Sequence, residues 1–232
     1  MQIPFGARTL KVSIIIPAYN ERSTIEEAIS RVKASPVEKE IIVADDGSTD
    51  GTAEIVSQIE GVILVRNERN AGKGLAIRKA LPCATGDIIL IQDADLEYDP
   101  QDYPKIIEPI SRNEADVVYG SRFLAGRPPM KLPNFIANKI FAYTATILYK
   151  HRVTDEGTAY KAFRAELLKN LDLRCKRFEF CPEVTARLLK RGVRYKEVPI
   201  SYTPRTTQEG KKIGFLDGLE ILWALIKYRF KG

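Results

Sequence analysis

Three carboxylates stand at alternate positions in Asp93-Ala94-Asp95-Leu96-Glu97, directly after the apolar run Asp87-Ile88-Ile89-Leu90-Ile91-Gln92. On an extended backbone, alternate side chains leave on one side. The three could therefore converge on one divalent cation. A hard, oxygen-only donor set suits Mg²⁺ or Mn²⁺, ions that also bind the phosphates of a nucleotide. A lone Asp-x-Asp is a weak signal, since a solvated turn after a strand has the same composition. The neighbouring clusters raise its weight. Asp45-Asp46 also follows an apolar run and offers acceptors to a base or a ribose. Those acids would repel phosphates unless a cation intervened, and Asp93, Asp95 and Glu97 could supply its site.

Asn70-Ala71-Gly72-Lys73-Gly74 places small residues and a lysine at the start of a helical pattern, an arrangement that suits an anion. It is not a P-loop, because Asn67 stands where the first glycine belongs and Gly74 follows the lysine. A tight turn with a surface lysine accounts for it equally well. Arg122 lies just past another apolar run, and Arg205, Lys211 and Lys212 fall in the polar segment Thr203–Lys212. Guanidinium groups bind phosphate bidentately, and a mobile cationic loop could close over a diphosphate. A solvated charged loop is the plainer alternative. In Asp155-Glu156-Gly157-Thr158, Asp155 is a candidate general base or acceptor-orienting group, and equally a turn residue.

The elements that must hold these groups alternate. Strand patterns cover 11–17, 40–44, 62–65, 88–91 and 116–120. Helical patterns lie between them, the first opened by a capping box at Ser23-Thr24-Ile25-Glu26 and a later one, 104–112, interrupted near Pro109. Such alternation predicts an α/β fold with a mostly parallel central sheet and helices on both faces. The uninterrupted Ile/Val runs fit strands covered on both sides. Ligands then sit beyond the carboxyl ends of the strands, where each polar cluster falls. Further on, 134–150 is an apolar helix or helix pair, 158–164 a strand and 182–191 a helix. Tyr195–Tyr202 alternates like an edge strand, with Pro199 supporting that position. A last helix spans 215–230.

The chain has 232 residues, 44% of them hydrophobic, and a formal charge of +6 that favours an anionic partner. Cys83, Cys175 and Cys181 lack metal-ligand spacing and suit a reducing compartment, and the single His151 removes most histidine-based zinc and triad mechanisms. No secretory signal is visible, and no stretch reaches the ~20 apolar residues of a spanning helix. Basic and aromatic residues interleave in 131–150 and 227–231, which suits an anionic membrane surface as well as a core. The basic residues are too dispersed for nucleic-acid binding.

Taken together, Ile16-Pro17-Ala18-Tyr19-Asn20-Glu21, Asp45 through Thr52, Asn70 through Gly74, Asp93-Ala94-Asp95 and Gly120-Ser121-Arg122 resemble glycosyltransferase family 2, in the family's order. The later pieces Thr154 through Lys161, Glu179 through Glu183, Glu197 through Tyr202 and Arg205 through Lys212 resemble its dolichyl-phosphate mannose synthase and bacterial polyprenyl-phosphate glycosyltransferase branch. The resemblance implies the GT-A nucleotide-sugar transferase fold, with a catalytic domain over 1–213 and a C-terminal amphipathic, membrane-interfacial helix over 214–232. It implies that Pro17, Tyr19, Glu21 and Asp46 hold the nucleoside, with Asp45, Gly72, Lys73 and Ala94 beside the donor. It places Asp93, Asp95 and Glu97 around the metal, and Arg122, Arg205 and Lys211 on phosphates. The mannose synthases usually carry glutamine where Glu97 stands. Their arginine-rich stretch for the lipid phosphate is here Asn134–Lys139, with Lys139 alone basic.

The expected activity is metal-dependent, inverting transfer of a hexose from GDP-mannose or a UDP-hexose to a polyprenyl phosphate. The enzyme would work peripherally on the cytoplasmic membrane face, with Mg²⁺ or Mn²⁺ and with room for a membrane-protein partner. The alternatives are the same chemistry on a soluble or protein-borne hydroxyl, or a non-catalytic nucleotide-sugar-binding partner of a membrane complex.

Overall fold

The computed structural model describes residues 10–205 and 215–231. In chain order the first half runs β1 (Val12–Ala18), α1 (Ile25–Ala34), β2 (Lys39–Asp45), α2 (Thr52–Ser57), β3 (Val62–Arg66), α3 (Lys73–Ala80), β4 (Ile88–Ile91), α4 (Tyr103–Ser111) and β5 (Val117–Ser121). The second half runs α5 (Leu132–Tyr149), β6 (Lys161–Arg164), α6 (Ala165–Lys169), α7 (Phe180–Lys190), β7 (Tyr195–Pro199) and α8 (Phe215–Phe230). Seven strands form one sheet in the order β3-β2-β1-β4-β6-β5-β7. Successive side chains of a strand point to opposite faces. Ile14 and Ile16 pack with α1, α2 and α4, whereas Ile15 packs with α3, α6 and α7. Both faces are covered, so the strand is buried at every position and almost wholly apolar, the exception being Ser13, whose hydroxyl bonds Glu40.

β6 is antiparallel to both its neighbours, β4 and β5, while the remaining pairings are parallel. This matters for the site. An antiparallel strand begins where its parallel neighbours end. Lys161, at the start of β6, is level with Ile91 and Tyr119 near the carboxyl ends of β4 and β5. The turn before β6, Thr154–Thr158, therefore reaches the edge that carries the other polar clusters. β7 lies at the sheet's edge, as its alternation and Pro199 predicted.

Several local expectations change. The capping box at Ser23–Glu26 does not form: Thr24 gives no side-chain cap, and its hydroxyl bonds Glu21 instead. The Glu21 carbonyl already accepts from the amides of Thr24 (3.0 Å) and Ile25 (2.9 Å), so the helix is entered through a backbone turn. α4 runs unbroken through Pro109. The apolar stretch after 131 is one helix of 18 residues, ended by Lys150 at φ 57°.

α8 packs on α5 and α7 through Ala224, Leu225 and Tyr228, and the Tyr149 hydroxyl donates to the Leu225 carbonyl at 2.5 Å. The expected boundary at 213/214 lies outside the described residues. Among the described residues no helix is long and apolar enough to cross a membrane.

Close approach at the start of β4 depends on a glycine. A Cβ on Gly86 would lie 2.7 Å from the Lys11 carbonyl oxygen and 2.7 Å from the Ser13 amide nitrogen, both backbone atoms. Gly86→Ala is expected to cost about 1–3 kcal/mol through overpacking between β1 and β4, measured by urea unfolding; an unchanged midpoint would show that this contact relaxes freely.

Candidate active site

A cleft of about 950 Å³ opens along the carboxyl edge of the sheet. Pro17, Tyr19 and Glu21 come from the end of β1, Asp46 from β2, Gly72 and Lys73 from α3. Asp93, Ala94, Asp95 and Glu97 come from the end of β4, Arg122 from β5, and Arg205 from the segment after β7. Two residues expected there stand behind the wall: Asp45 and Asp155 are both fully buried and do not line the cleft. The Asp45 carboxylate accepts from the Ser48 amide at 3.1 Å and lies 3.5 Å from Arg66 Nε. Lys211, Lys212 and the rest of the predicted loop from 206 lie outside the described residues.

The chain after β4 is not extended as the alternating carboxylates suggested. It turns at Ala94-Asp95, with Leu96 at φ 62°, a left-handed conformation unusual for a branched residue. The Asp95 carboxylate accepts from the Glu97 amide at 3.2 Å, closing the turn. Gln92 anchors its start. The Gln92 side-chain oxygen accepts from the hydroxyls of Tyr103 (2.7 Å) and Tyr160 (2.6 Å), and its amide donates to the Asp93 carbonyl (2.7 Å). An amide ending an apolar strand was the sequence signal for this anchor.

Each carboxylate of the turn already has a partner. Lys73 pairs with Asp93. Arg205 bridges Asp95 and Glu21, 3.1 Å from each, and its amide donates to Glu97 Oε1 at 2.8 Å. Among the described residues no three His, Cys, Asp or Glu side chains are gathered as they stand into a metal cage. The charge balance nevertheless fits a divalent cation. Among the described residues, five carboxylates (Glu21, Asp46, Asp93, Asp95, Glu97) and four cations (Lys73, Arg122, Arg177, Arg205) line the cleft. Burial, then repulsion from Asp93 and Glu97, pushes the Asp95 carboxyl up to about 7. A site that strains to hold its negative charge, with only oxygen donors, suits a hard divalent ion.

The start of α3 lines the cleft and is also tied into the protein. Asp46 accepts from the Asn67 side chain (2.7 Å) and from the amides of Ala71 (3.0 Å) and Gly72 (2.6 Å). The amides of Gly74 (3.1 Å) and Leu75 (2.9 Å) donate to the carbonyls of Arg177 and Lys176. Two amides of the helix's first turn are thus spent inside the protein. Gly72 sits at φ 104°, and a Cβ there would collide with the Lys176 carbonyl and lie 2.9 Å from Arg177 Cα.

Arg122 is held from behind. Asp155 Oδ2 accepts from its backbone amide (3.0 Å) and Nε (2.7 Å), and Asp155 Oδ1 accepts from Nη2 (2.7 Å). Glu197 fixes the Asp155 turn by accepting from the amides of Thr154 (2.9 Å) and Asp155 (3.1 Å). Arg122 Nη2 also donates to Asn138 of α5 at 2.9 Å, and the guanidinium lies 5.1 Å from the Tyr202 ring centroid. With both oxygens engaged by Arg122, Asp155 is placed to orient that guanidinium rather than to take a proton. Asn138 and Arg177 were not singled out from sequence. Lys139 lies over the Phe123 ring at 4.1 Å and does not line the cleft.

The far end of the cleft is apolar. Met130, Pro133, Ala137, Ile140 and Phe141 face Leu219, Ile221 and Leu222 across a trough between α5 and α8. The outer faces of both helices continue it. Leu132, Ile136, Ile140, Tyr143 and Ile147 on α5 and Leu219, Trp223, Ile226 and Phe230 on α8 are all exposed. Their helical spacing makes two neighbouring apolar stripes on the surface.

The sheet order and the cleft at its carboxyl edge are those of a GT-A glycosyltransferase fold, and the comparisons agree. Residues 13–172 match Glycosyl transferase family 2, and the chain belongs to that family. It is 30% identical, over 93% of its length and 94% of the relative's, to the UDP-N-acetylglucosamine–dolichyl-phosphate N-acetylglucosaminyltransferase of Methanococcus voltae. It is also 30% identical, over 94% of its length, to the dolichol-phosphate mannosyltransferase of Pyrococcus furiosus, of which it spans 64%. Among solved structures, glucosyl-3-phosphoglycerate synthase of Mycobacterium tuberculosis with Mn²⁺ and UDP superposes with a TM-score of 0.73 at 21% identity, covering 95% of this chain and 80% of that one.

Asp95 holds a proton more tightly folded than unfolded. Its ionisation therefore costs stability as pH rises from about 4 to about 7, and the loss is complete above that. Asp95→Asn removes the cost. In chelator, its stability relative to wild type is expected to grow by on the order of 4 kcal/mol between pH 4 and pH 8, read from urea midpoints. A constant difference across that range would mean that Arg205 fully compensates the charge.

Proposed function

We propose that this family 2 glycosyltransferase moves a hexose from a nucleotide diphosphate sugar to a polyprenyl phosphate, with inversion, at the cytoplasmic face of a membrane. The observation that carries the reading is the shape of the cleft. One end is lined by carboxylates and guanidinium groups, and the other is an apolar trough opening onto exposed apolar stripes of α5 and α8. A donor that is mostly phosphate and sugar has no use for such a trough; an acceptor with a phosphate head and a hydrocarbon tail uses both ends. The names of the Methanococcus and Pyrococcus relatives support the same acceptor class.

In this reading Pro17, Tyr19, Glu21 and Asp46 surround the nucleoside. Asp93, Asp95 and Glu97 would hold Mg²⁺ or Mn²⁺. The bound ion would supply charge neutralisation for the departing nucleoside diphosphate. Lys73 and Arg205, paired with Asp93 and Asp95 here, stand ready to turn to the donor's phosphate oxygens. The acceptor's phosphate oxygen attacks the anomeric carbon on the side opposite the diphosphate. The new carbon–oxygen bond forms as the bond to the diphosphate breaks, and that electron pair leaves with the diphosphate. A phosphate oxygen is already anionic near neutral pH and needs no general base. That agrees with an Asp155 locked onto Arg122, and it counts against a hydroxyl acceptor, which would require a free base.

Incubation with nucleotide sugars, Mn²⁺ or Mg²⁺ and a short-chain polyprenyl phosphate is expected to yield the glycosyl phospholipid by mass spectrometry. Transfer only to water-soluble hydroxyl acceptors would overturn the reading. Chelator should abolish the product, and metal should restore it.

Asp155→Asn tests the roles within the site. With Arg122 no longer held in place at the cleft wall, the substrate KM should rise by about tenfold, the worth of one charged hydrogen bond, with the shape of the pH–rate profile retained. A general base would show the opposite: kcat falling steeply, an unchanged KM and loss of the acidic limb.

A further inference from the structure

We infer that Arg177 receives the acceptor's phosphate, at the point where the polar end of the cleft meets its apolar trough; this rests on the phosphate-acceptor reading above. Four cations line the cleft among the described residues, and three have carboxylate partners within 3.1 Å. Lys73 is paired with Asp93, Arg205 with Asp95 and Glu21, and Arg122 with both oxygens of Asp155. Arg177 is different. Its guanidinium makes no hydrogen bond among the described residues, and its one carboxylate neighbour, Asp217, is 3.9 Å away. Its side chain is 61% exposed. A pair that long, with its guanidinium exposed, contributes little, so a phosphate could displace it readily.

The backbone beneath is firmly held. The Arg177 carbonyl caps α3 through the Gly74 amide at 3.1 Å, and the Arg177 amide donates to Glu179 at 3.0 Å. Gly72 and Gly74 lack side chains where this segment presses against them. A guanidinium with open N–H groups on a fixed backbone is the form a phosphate clamp takes. Its place also fits. Arg177 packs against Gly72, next to Lys73 at the polar end, and its neighbour Asp217 precedes Gly218 and Leu219, which line the cleft from α8. A phosphate joined to a hydrocarbon chain needs that junction. Arg177 further explains how α5 can lack basic residues toward the cleft: Asn134 and Asn138 line it, whereas Lys139 lies over Phe123 and Phe135.

Direct binding of a short-chain polyprenyl phosphate, measured by calorimetry in the presence of UDP or GDP and Mn²⁺, tests this without turnover. Arg177→Gln is expected to weaken that binding about tenfold or more, with nucleotide–Mn²⁺ affinity within twofold of wild type. Arg177→Lys should fall between. Inorganic phosphate as competitor separates headgroup from chain: it should compete in wild type and lose that ability in Arg177→Gln. Equal lipid binding by wild type and Arg177→Gln would overturn the inference alone, and a weakened nucleotide with unchanged lipid would reassign Arg177 to the donor. A wild type that binds no polyprenyl phosphate would overturn the acceptor reading as well.

Discussion

The buried pair between Arg122 and Asp155 ties the cleft together. Taking two charges out of water is costly, and only near-ideal geometry repays it. Here the carboxylate meets a backbone amide, Nε and Nη2 of the same arginine, all within 3.0 Å. Removing either partner would strand the other charge in the interior. The pair also joins four elements that are distant in sequence. Arg122 ends β5, Asp155 precedes β6, Glu197 of β7 holds the Asp155 turn, and Asn138 of α5 holds the guanidinium. The exposed helix α5 is thereby fixed to the cleft by a polar contact as well as by packing.

Electrostatics at the opposite wall follow a different logic. Instead of one tight pair, the Asp93 turn carries more negative charge than its local partners comfortably balance. Lys73 and Arg205 are drawn onto it, and Asp95 still resists ionisation. An unevenly balanced cluster of this kind is poised to exchange partners, in contrast to the closed pair at Arg122. The cleft thus has one wall built to stay and one built to change, which suits an enzyme that must both hold and exchange its ligands.

Much of the fold was legible in the sequence because apolar runs and punctuation coincide there. Residues 11–17 and 40–44 give strands almost to the residue, and Tyr195–Pro199 lies at the edge that its alternation required. The antiparallel setting of β6 was not legible, because a run such as Lys161–Arg164 has the same pattern in either direction. The capping box failed since a backbone turn at Glu21 had already supplied the cap. Within the site, the acidic residues of the β4 turn were recognisable by type. Their conformation was not, because it depends on a left-handed Leu96 that composition does not announce. Asn138 and Arg177 were hidden for a simpler reason: each matters through a neighbour far away in sequence, and neither belongs to a recognisable motif.

The capping of α3 by the carbonyls of Lys176 and Arg177 bears on where this protein can be divided. The family match ends at residue 172, four residues before the first of those carbonyls. A fragment cut at that limit would keep six of the seven strands yet leave the opening turn of α3 with unsatisfied amides. It would also lose Glu197, the support of the Asp155 turn. The segment after residue 172 thus completes structure begun well before it: it caps α3 and steadies the turn that holds Arg122.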